Sequence, residues 1–208
     1  MSEDRVTDVR VIEDRLLAAG ISPFAGVDEA GRGACAGPLV IASVILKDHR
    51  SAVLEQVRDS KEISEKLREE LFDVVSSACI SMSVIIVSHD EIDSRGVHAA
   101  NLDGMRRAVQ GLDLSPAYVL TDGYPIEGLA IPNLAVWKGD QVVTCISAAS
   151  IIAKVTRDRI MRELDVTFPQ YGFKSHKGYI TKTHSDALIH HGVSPVHRRS
   201  FSNIAALL

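Results

Sequence analysis

Several short runs of this 208-residue sequence hold residue types that could do chemistry. The first is GVDEAGRGACAGP (26–38), where Asp28 and Glu29 follow an apolar run and precede a glycine-rich turn. Adjacent carboxylates suit general acid–base work or metal ligation. On a regular strand they would face opposite sides. They serve one site only if the chain bends there, and Gly31 and Gly33 make a bend cheap. Asp122 stands in LTDGY (120–124) and Asp140 in WKGD (137–140). Taken alone, the first is a common turn residue and the second a common helix N-cap. Their shared place at strand ends or a helix entry puts them where open α/β sheets bind ligands.

Four carboxylates on one rim repel one another unless cations offset them. Oxygen donors with no His or Cys beside them favour Mg²⁺ or Mn²⁺ over zinc. Other groups could hold an anionic substrate. Ser150 and Lys154 lie four apart on one helix face, and Lys61 closes the run Asp59-Ser60-Lys61. Phe173 to Tyr179 interleaves aromatic rings with Lys174, His176 and Lys177, and Arg198 and Arg199 follow. That mixture suits stacking plus phosphate contact. The glycine spacing is one residue longer than the dinucleotide fingerprint and leads into a strand, and no phosphate-binding P-loop exists. His190 and His191 read as a solvated face. Cys35, Cys79 and Cys145 form no CxxC pair and read as small buried hydrophobes.

The elements that must position these residues follow from periodicity and punctuation. Strands are predicted at Phe24–Val27, Leu39–Leu46, Ser81–Ser88, Ala117–Leu120 and Leu134–Trp137. Helices are predicted at Val9–Ala19, Glu65–Ala78 after a Ser64 cap, Val97–Leu112, Val142 to about Leu164, and Lys182–His191. Hairpin-like strands followed by mixed strands and helices imply an α/β sheet under helical cover. A lead over 1–21 precedes a single domain over 22–208, with an α/β core to about 165 and a C-terminal lobe over 166–208.

Composition narrows the field. A hydrophobic fraction of 46% with 24% charged residues excludes a disordered tail protein. The N-terminus has no secretory h-region and no apolar run is long enough to span a bilayer, so a cytoplasmic protein is expected. The formal net charge of -4 excludes a uniformly basic binder. That charge is unevenly spread: residues 1–137 hold 13 basic and 22 acidic side chains, and residues 138–208 hold 10 basic and 5 acidic.

With these motifs in hand, the sequence resembles type 2 ribonuclease H, the bacterial ribonuclease HII family. The match begins near residue 22 and takes in GVDEAGRGACAGP, DSK (59–61), TDG (121–123), KGD (138–140), SAASIIAKVTRD (147–158), HKGY (176–179) and SPVHRRSF (194–201). The resemblance implies a ribonuclease H-like mixed sheet flanked by helices, with a helical C-terminal lobe. It implies a two-metal endoribonuclease using Mn²⁺ or Mg²⁺. Such an enzyme cuts the RNA strand of RNA–DNA hybrids and incises 5′ of ribonucleotides embedded in duplex DNA, leaving 3′-hydroxyl and 5′-phosphate ends. The implied metal ligands are Asp28, Glu29, Asp122 and Asp140. Gly31, Arg32, Gly33 and Tyr179 would read the ribonucleotide and the following deoxyribose, beside Lys61, Ser150 and Lys154. A monomer acting in ribonucleotide excision repair is expected. The rivals are an inactive hybrid-binding module and a two-carboxylate glycosidase; turnover and sensitivity to EDTA separate them.

Overall fold

A computed structural model describes residues 11–59 and 64–208; Ser60 and Lys61 of the DSK run lie outside the described residues. In chain order the elements are α1 (Val11–Ala18), β1 (Phe24–Ala30), β2 (Leu39–Leu46), a 3-10 segment (Ala52–Asp59), α2 (Glu65–Ala78) and β3 (Cys79–Val87). Then come α3 (His89–Arg95), α4 (Val97–Gln110), β4 (Tyr118–Asp122), β5 (Asn133–Val136), α5 (Gly139–Val142) and α6 (Thr144–Thr167). The short α7 (Phe173–His176), α8 (Lys182–His191) and α9 (Ser202–Ala205) complete the C-terminal lobe.

The sheet order is β3-β2-β1-β4-β5. β1 pairs antiparallel with β2 and parallel with β4, so the sheet is mixed, as expected. Second in the sheet, β2 is buried on both faces, which explains its unbroken apolar run. Val40, Ala42 and Val44 pack with Ala148, Ile151 and Ile152 of α6 and with Leu71 and Val75 of α2. Leu39, Ile41 and Ile45 face Met105, Ala108 and Val109 of α4. The lobe closes over a third cluster that joins Cys35 and Ala36 to Met161, Tyr171, Phe173 and Leu188.

Among the boundaries that move, two have a local physical reason. Ser88 leaves the third strand because its hydroxyl accepts from the Glu91 amide at 3.1 Å and starts α3. That helix has seven residues and one buried side chain, Ile92, too few to show a period. The expected continuous helix from Val142 is broken at Val143, whose extended backbone (φ -134°) separates α5 from α6. Asp140 therefore lies inside α5 and caps neither helix.

Two lobe histidines share one buried hydrogen-bonded chain, and a third stacks on it. Nδ1 of His197 accepts from the Ser194 amide at 3.0 Å, so its proton sits on Nε2, 3.0 Å from Nε2 of His184. His184 then carries its proton on Nδ1 and donates to the Tyr179 carbonyl at 3.0 Å. The His176 ring stacks on His184 at 4.2 Å between centroids. A further proton on either His184 or His197 would set two donors face to face. Burial, followed by the neighbouring His184, pushes His197 down to about 4. In the unfolded chain it titrates near its ordinary ~6.5. The unfolded state thus binds more protons between these values, so this contribution to stability is complete above ~6.5 and is lost as pH falls toward 4.

The melting temperature is accordingly expected to fall between about pH 7 and pH 4.5. In His197→Asn, less stable at neutral pH, that fall should be shallower by about 5 °C. Parallel melting curves for the two proteins across this range would remove His197 as the cause.

Candidate active site

The ladder between β1 and β4 ends at Val27 and Thr121, whereas pairing of β1 with β2 runs on to Ala30. Asp28 and Glu29 therefore stand beside a notch left by the end of β4. The bend expected at the carboxylates instead follows them, at Gly31, where φ is +88°. Both line one recess of about 320 Å³ together with Asp122, Gly31, Arg32, Ser150, Lys154 and Tyr179. Arg68 of α2 joins them there. A groove of about 480 Å³ near Lys47, Val53 and Val74 lies at the opposite end of β2 and collects no such set of carboxylates.

Asp28 is 4% exposed. Desolvation, then the charges of Glu29 and Asp122, push its carboxyl well above the usual range, against opposing hydrogen bonds from the Glu29 amide and the Ser150 side chain. The Glu29 amide donates to Asp28 Oδ1 at 2.7 Å. Asp122 closes β4, and its Oδ1 accepts from the Gly139 amide at 2.7 Å, which ties it to the helix holding Asp140. Asp140 is buried, and its carbonyl accepts from Ser147 Oγ at 2.6 Å. It sits one residue past Gly139 but does not line the recess itself.

Lys154 donates to Asp158 at 2.6 Å, and Arg68 approaches the same carboxylate at 3.8 Å. Burial lowers the Lys154 pKa, and the bond to Asp158 opposes that shift. Arg32 donates to Tyr124 Oη at 2.7 Å, with its guanidinium 4.3 Å from the ring centroid. Tyr179 is 41% exposed, its ring 5.5 Å from the Arg157 guanidinium. Gly33 is exposed and lies beside that ring, but it does not line the recess. Arg198 departs from its reading as a substrate-holding cation: it is wholly buried and donates to the Arg32 and Gly37 carbonyls at 2.9 and 3.0 Å. Arg157, also buried, donates to the Pro38 and Ala36 carbonyls at 2.9 and 3.2 Å. A Cβ on Gly31 would lie 1.8 Å from Arg157 Nε, so this turn needs glycine for both space and φ.

Arg68, Arg157 and Asp158 were not among the residues assigned from sequence. The spacing of Lys154 and Asp158, four apart in one helix, was a usable signal for the last. Among the described residues no three His, Cys, Asp or Glu side chains already form a finished metal cluster. The donor chemistry nevertheless fits hard divalent cations: the acidic groups of the recess are all carboxylates, no His or Cys lines it, and their charges oppose one another at Asp28. Asp28, Glu29 and Asp122, with Asp140 behind them, are the residues that could hold such ions.

Comparison with known proteins points to one family. The family model described as Ribonuclease HII matches residues 25–204. The Ribonuclease HII of Nocardioides sp. is 56% identical over 92% of this chain and 80% of its own length. That of Rhodococcus erythropolis is 52% identical over 97% and 89%. The crystal structure of the ribonuclease H2 from Pyrococcus horikoshii superposes with a TM-score of 0.76 at 28% identity, covering 88% of this chain and 96% of that one.

The raised pKa of Asp28 means that its charged form costs the folded state stability as pH rises above the unfolded value near 4. In chelator at neutral pH, Asp28→Asn should therefore melt higher than the wild type, by about 2 °C or more. Added Mn²⁺ should raise the wild-type melting temperature and leave the variant's nearly unchanged. A lower melting temperature for the metal-free variant would contradict the electrostatic account.

Proposed function

The chain belongs to the ribonuclease HII family, and from that membership we propose how its site works. The protein is a metal-dependent endoribonuclease acting on RNA–DNA hybrids. We assign Asp28, Glu29, Asp122 and Asp140 as the metal ligands, with either Mg²⁺ or Mn²⁺ as the ion. The observation that carries this assignment is the buried Asp28 carboxyl, its pKa raised by desolvation and then by Glu29 and Asp122, which line the same recess beside Lys154 and Arg68. These four residues would hold two such ions, whose chemistry there would be activation of the attacking water and stabilisation of the leaving 3′-oxygen.

The chain's own groups do the rest. Ser150 hydrogen-bonds the Asp28 carboxylate and orients it. Lys154 and Arg68, both at the recess, face the negative charge of the scissile phosphate. The backbone from Gly31 to Gly33, bonded by Arg198 at the Arg32 carbonyl and packed against Arg157 at Gly31, can approach a ribose 2′-hydroxyl without an intervening side chain at the glycines. Tyr179 presents its ring beside Gly33 and stacks on the following deoxyribose, which sets incision 5′ of an embedded ribonucleotide. Lys61 is assigned a phosphate contact on the DSK resemblance. The products are a 3′-hydroxyl and a 5′-phosphate.

We treat residues 22–208 as one domain acting as a cytoplasmic monomer in ribonucleotide excision repair. The lobe's packing on Cys35, Ala36 and Met161 supports the single domain. Among the described residues, no helix is long and apolar enough to cross a membrane.

A gel assay comparing a one-ribonucleotide duplex with an all-RNA hybrid tests the reading. Asp28→Asn should lower the cleavage rate of both by about a thousandfold or more. Tyr179→Ala should cut kcat/KM on the one-ribonucleotide duplex by about tenfold, the scale of one lost stacking contact, with little change in melting temperature. Full Mn²⁺-supported activity in Asp28→Asn would sink the metal assignment. Parallel losses of activity and stability in Tyr179→Ala would reduce the tyrosine to a packing role.

A further inference from the structure

Helix α6 carries Ser150, Lys154, Arg157 and Asp158, so the site depends on where its first turn lies. Its entry is chemically poor. Helices α2, α3 and α8 begin on Ser64, Ser88 and Thr181, whose hydroxyls accept from backbone amides. The corresponding residue of α6 is Val143, which has no side-chain acceptor. The acceptor comes instead from α1. Glu13, wholly buried, accepts from the Thr144 amide through Oε2 at 3.0 Å and from the Cys145 amide through Oε1 at 2.9 Å. One carboxylate thus satisfies two amides that the helix leaves open and faces the positive end of a 24-residue dipole.

The turn that Glu13 holds is wedged between the two halves of the carboxylate set. A Cβ on Gly26, two residues before Asp28, would lie 2.2 Å from the Cys145 carbonyl carbon. One on Gly139, next to Asp140, would lie 2.6 Å from Ile146 Cδ1. Ser147 in the same turn bonds the Asp140 carbonyl. A shift of residues 144–147 would therefore move β1 and α5 relative to each other. We infer that Glu13 is a positioning residue: by capping α6 it fixes the spacing of Asp28 and Asp140, and with it the affinity of the site for divalent ions. It lies outside the span 25–204 that the family model matches. The inference rests on the proposed metal assignment.

Calorimetric titration of the metal-free protein with Mn²⁺, paired with melting curves, tests it. Glu13→Ala should raise the Mn²⁺ Kd about tenfold, the scale of a lost group behind a metal ligand. Glu13→Gln keeps one acceptor and should fall between, which keeps the test open if the alanine variant does not fold. Leu16→Ala is the control, because Leu16 packs α1 on the same cluster of Phe24, Val143 and Ile146 but offers no acceptor to the Thr144 and Cys145 amides. It should lower the melting temperature while leaving the Mn²⁺ Kd within about twofold of wild type. A Glu13→Gln Kd indistinguishable from wild type, or an equal rise in Leu16→Ala, overturns the inference. Wild-type protein that neither binds Mn²⁺ nor cuts a hybrid would sink the metal assignment itself, a different result from wild-type binding that the Glu13 variants leave intact.

Discussion

Two buried guanidinium groups hold the turn from Gly31 to Pro38, which is otherwise pinned to the C-terminal lobe by main-chain hydrogen bonds to Gly178, Val196 and Arg198 and not by a strand ladder. Arg157 reaches it from α6 and Arg198 from the C-terminal lobe, and their hydrogen bonds there run to main-chain carbonyls. Burial lowers the pKa of both, and Arg157 lowers that of Arg198 further. Keeping two cations dry and close together is costly, and carbonyl dipoles offset it only because the geometry is tight. In return the turn is locked to β1, α6 and the lobe at once. The Cys35 amide donates to the Gly178 carbonyl at 2.9 Å, so Tyr179 is seated on the same unit. Carboxylates, glycine turn and tyrosine are thereby a single rigid piece.

That rigidity is what allows like charges to stay together. Asp28 is desolvated and faces Glu29 and Asp122, an arrangement a softer scaffold would relax by turning side chains outward. The folded state bears the repulsion because tight contacts occupy the escape routes: Gly26 against Cys145 and Asp122 on the Gly139 amide. On the proposed metal assignment, stability given up at the carboxylates would be recovered when cations bind, which is the usual relation between a strained site and its ligand.

Much of this was legible in the sequence, for identifiable reasons. β2 declared itself as eight apolar or small residues between a proline and a lysine, and Lys182–His191 as a helix between Thr181 and Gly192. Asp28, Glu29 and Asp122 were legible because glycines mark the strand ends where they stand. Arg157 and Arg198 were not, since a buried arginine and a solvated one look alike in a sequence when the partners are main-chain carbonyls. Arg68 belongs to the polar side of an amphipathic helix and only the fold turns that side toward the recess. Glu13 was hidden by distance: its partner amides lie 131 and 132 residues away, and nothing local distinguishes it from any acid in the first turn of a helix.

The uneven charge along the chain has a consequence for encounter. A uniformly acidic protein would be pushed away from a polyanion at long range. Here the acidic excess lies in residues 1–137 and the basic excess in residues 138–208, with Arg159, Arg162 and Lys177 of the second stretch paired across to Glu65 and Glu69 of the first. On the proposed function, basic charge left over in the lobe would turn that side toward a duplex before contact, and such a torque acts over roughly one Debye length, about 8–10 Å at moderate salt. Such a distribution would supply orientation more than attraction, with the lobe that carries Tyr179 meeting the duplex. Raising the ionic strength weakens that alignment together with the phosphate contacts themselves, so association slows more steeply with salt than the modest net charge alone would suggest.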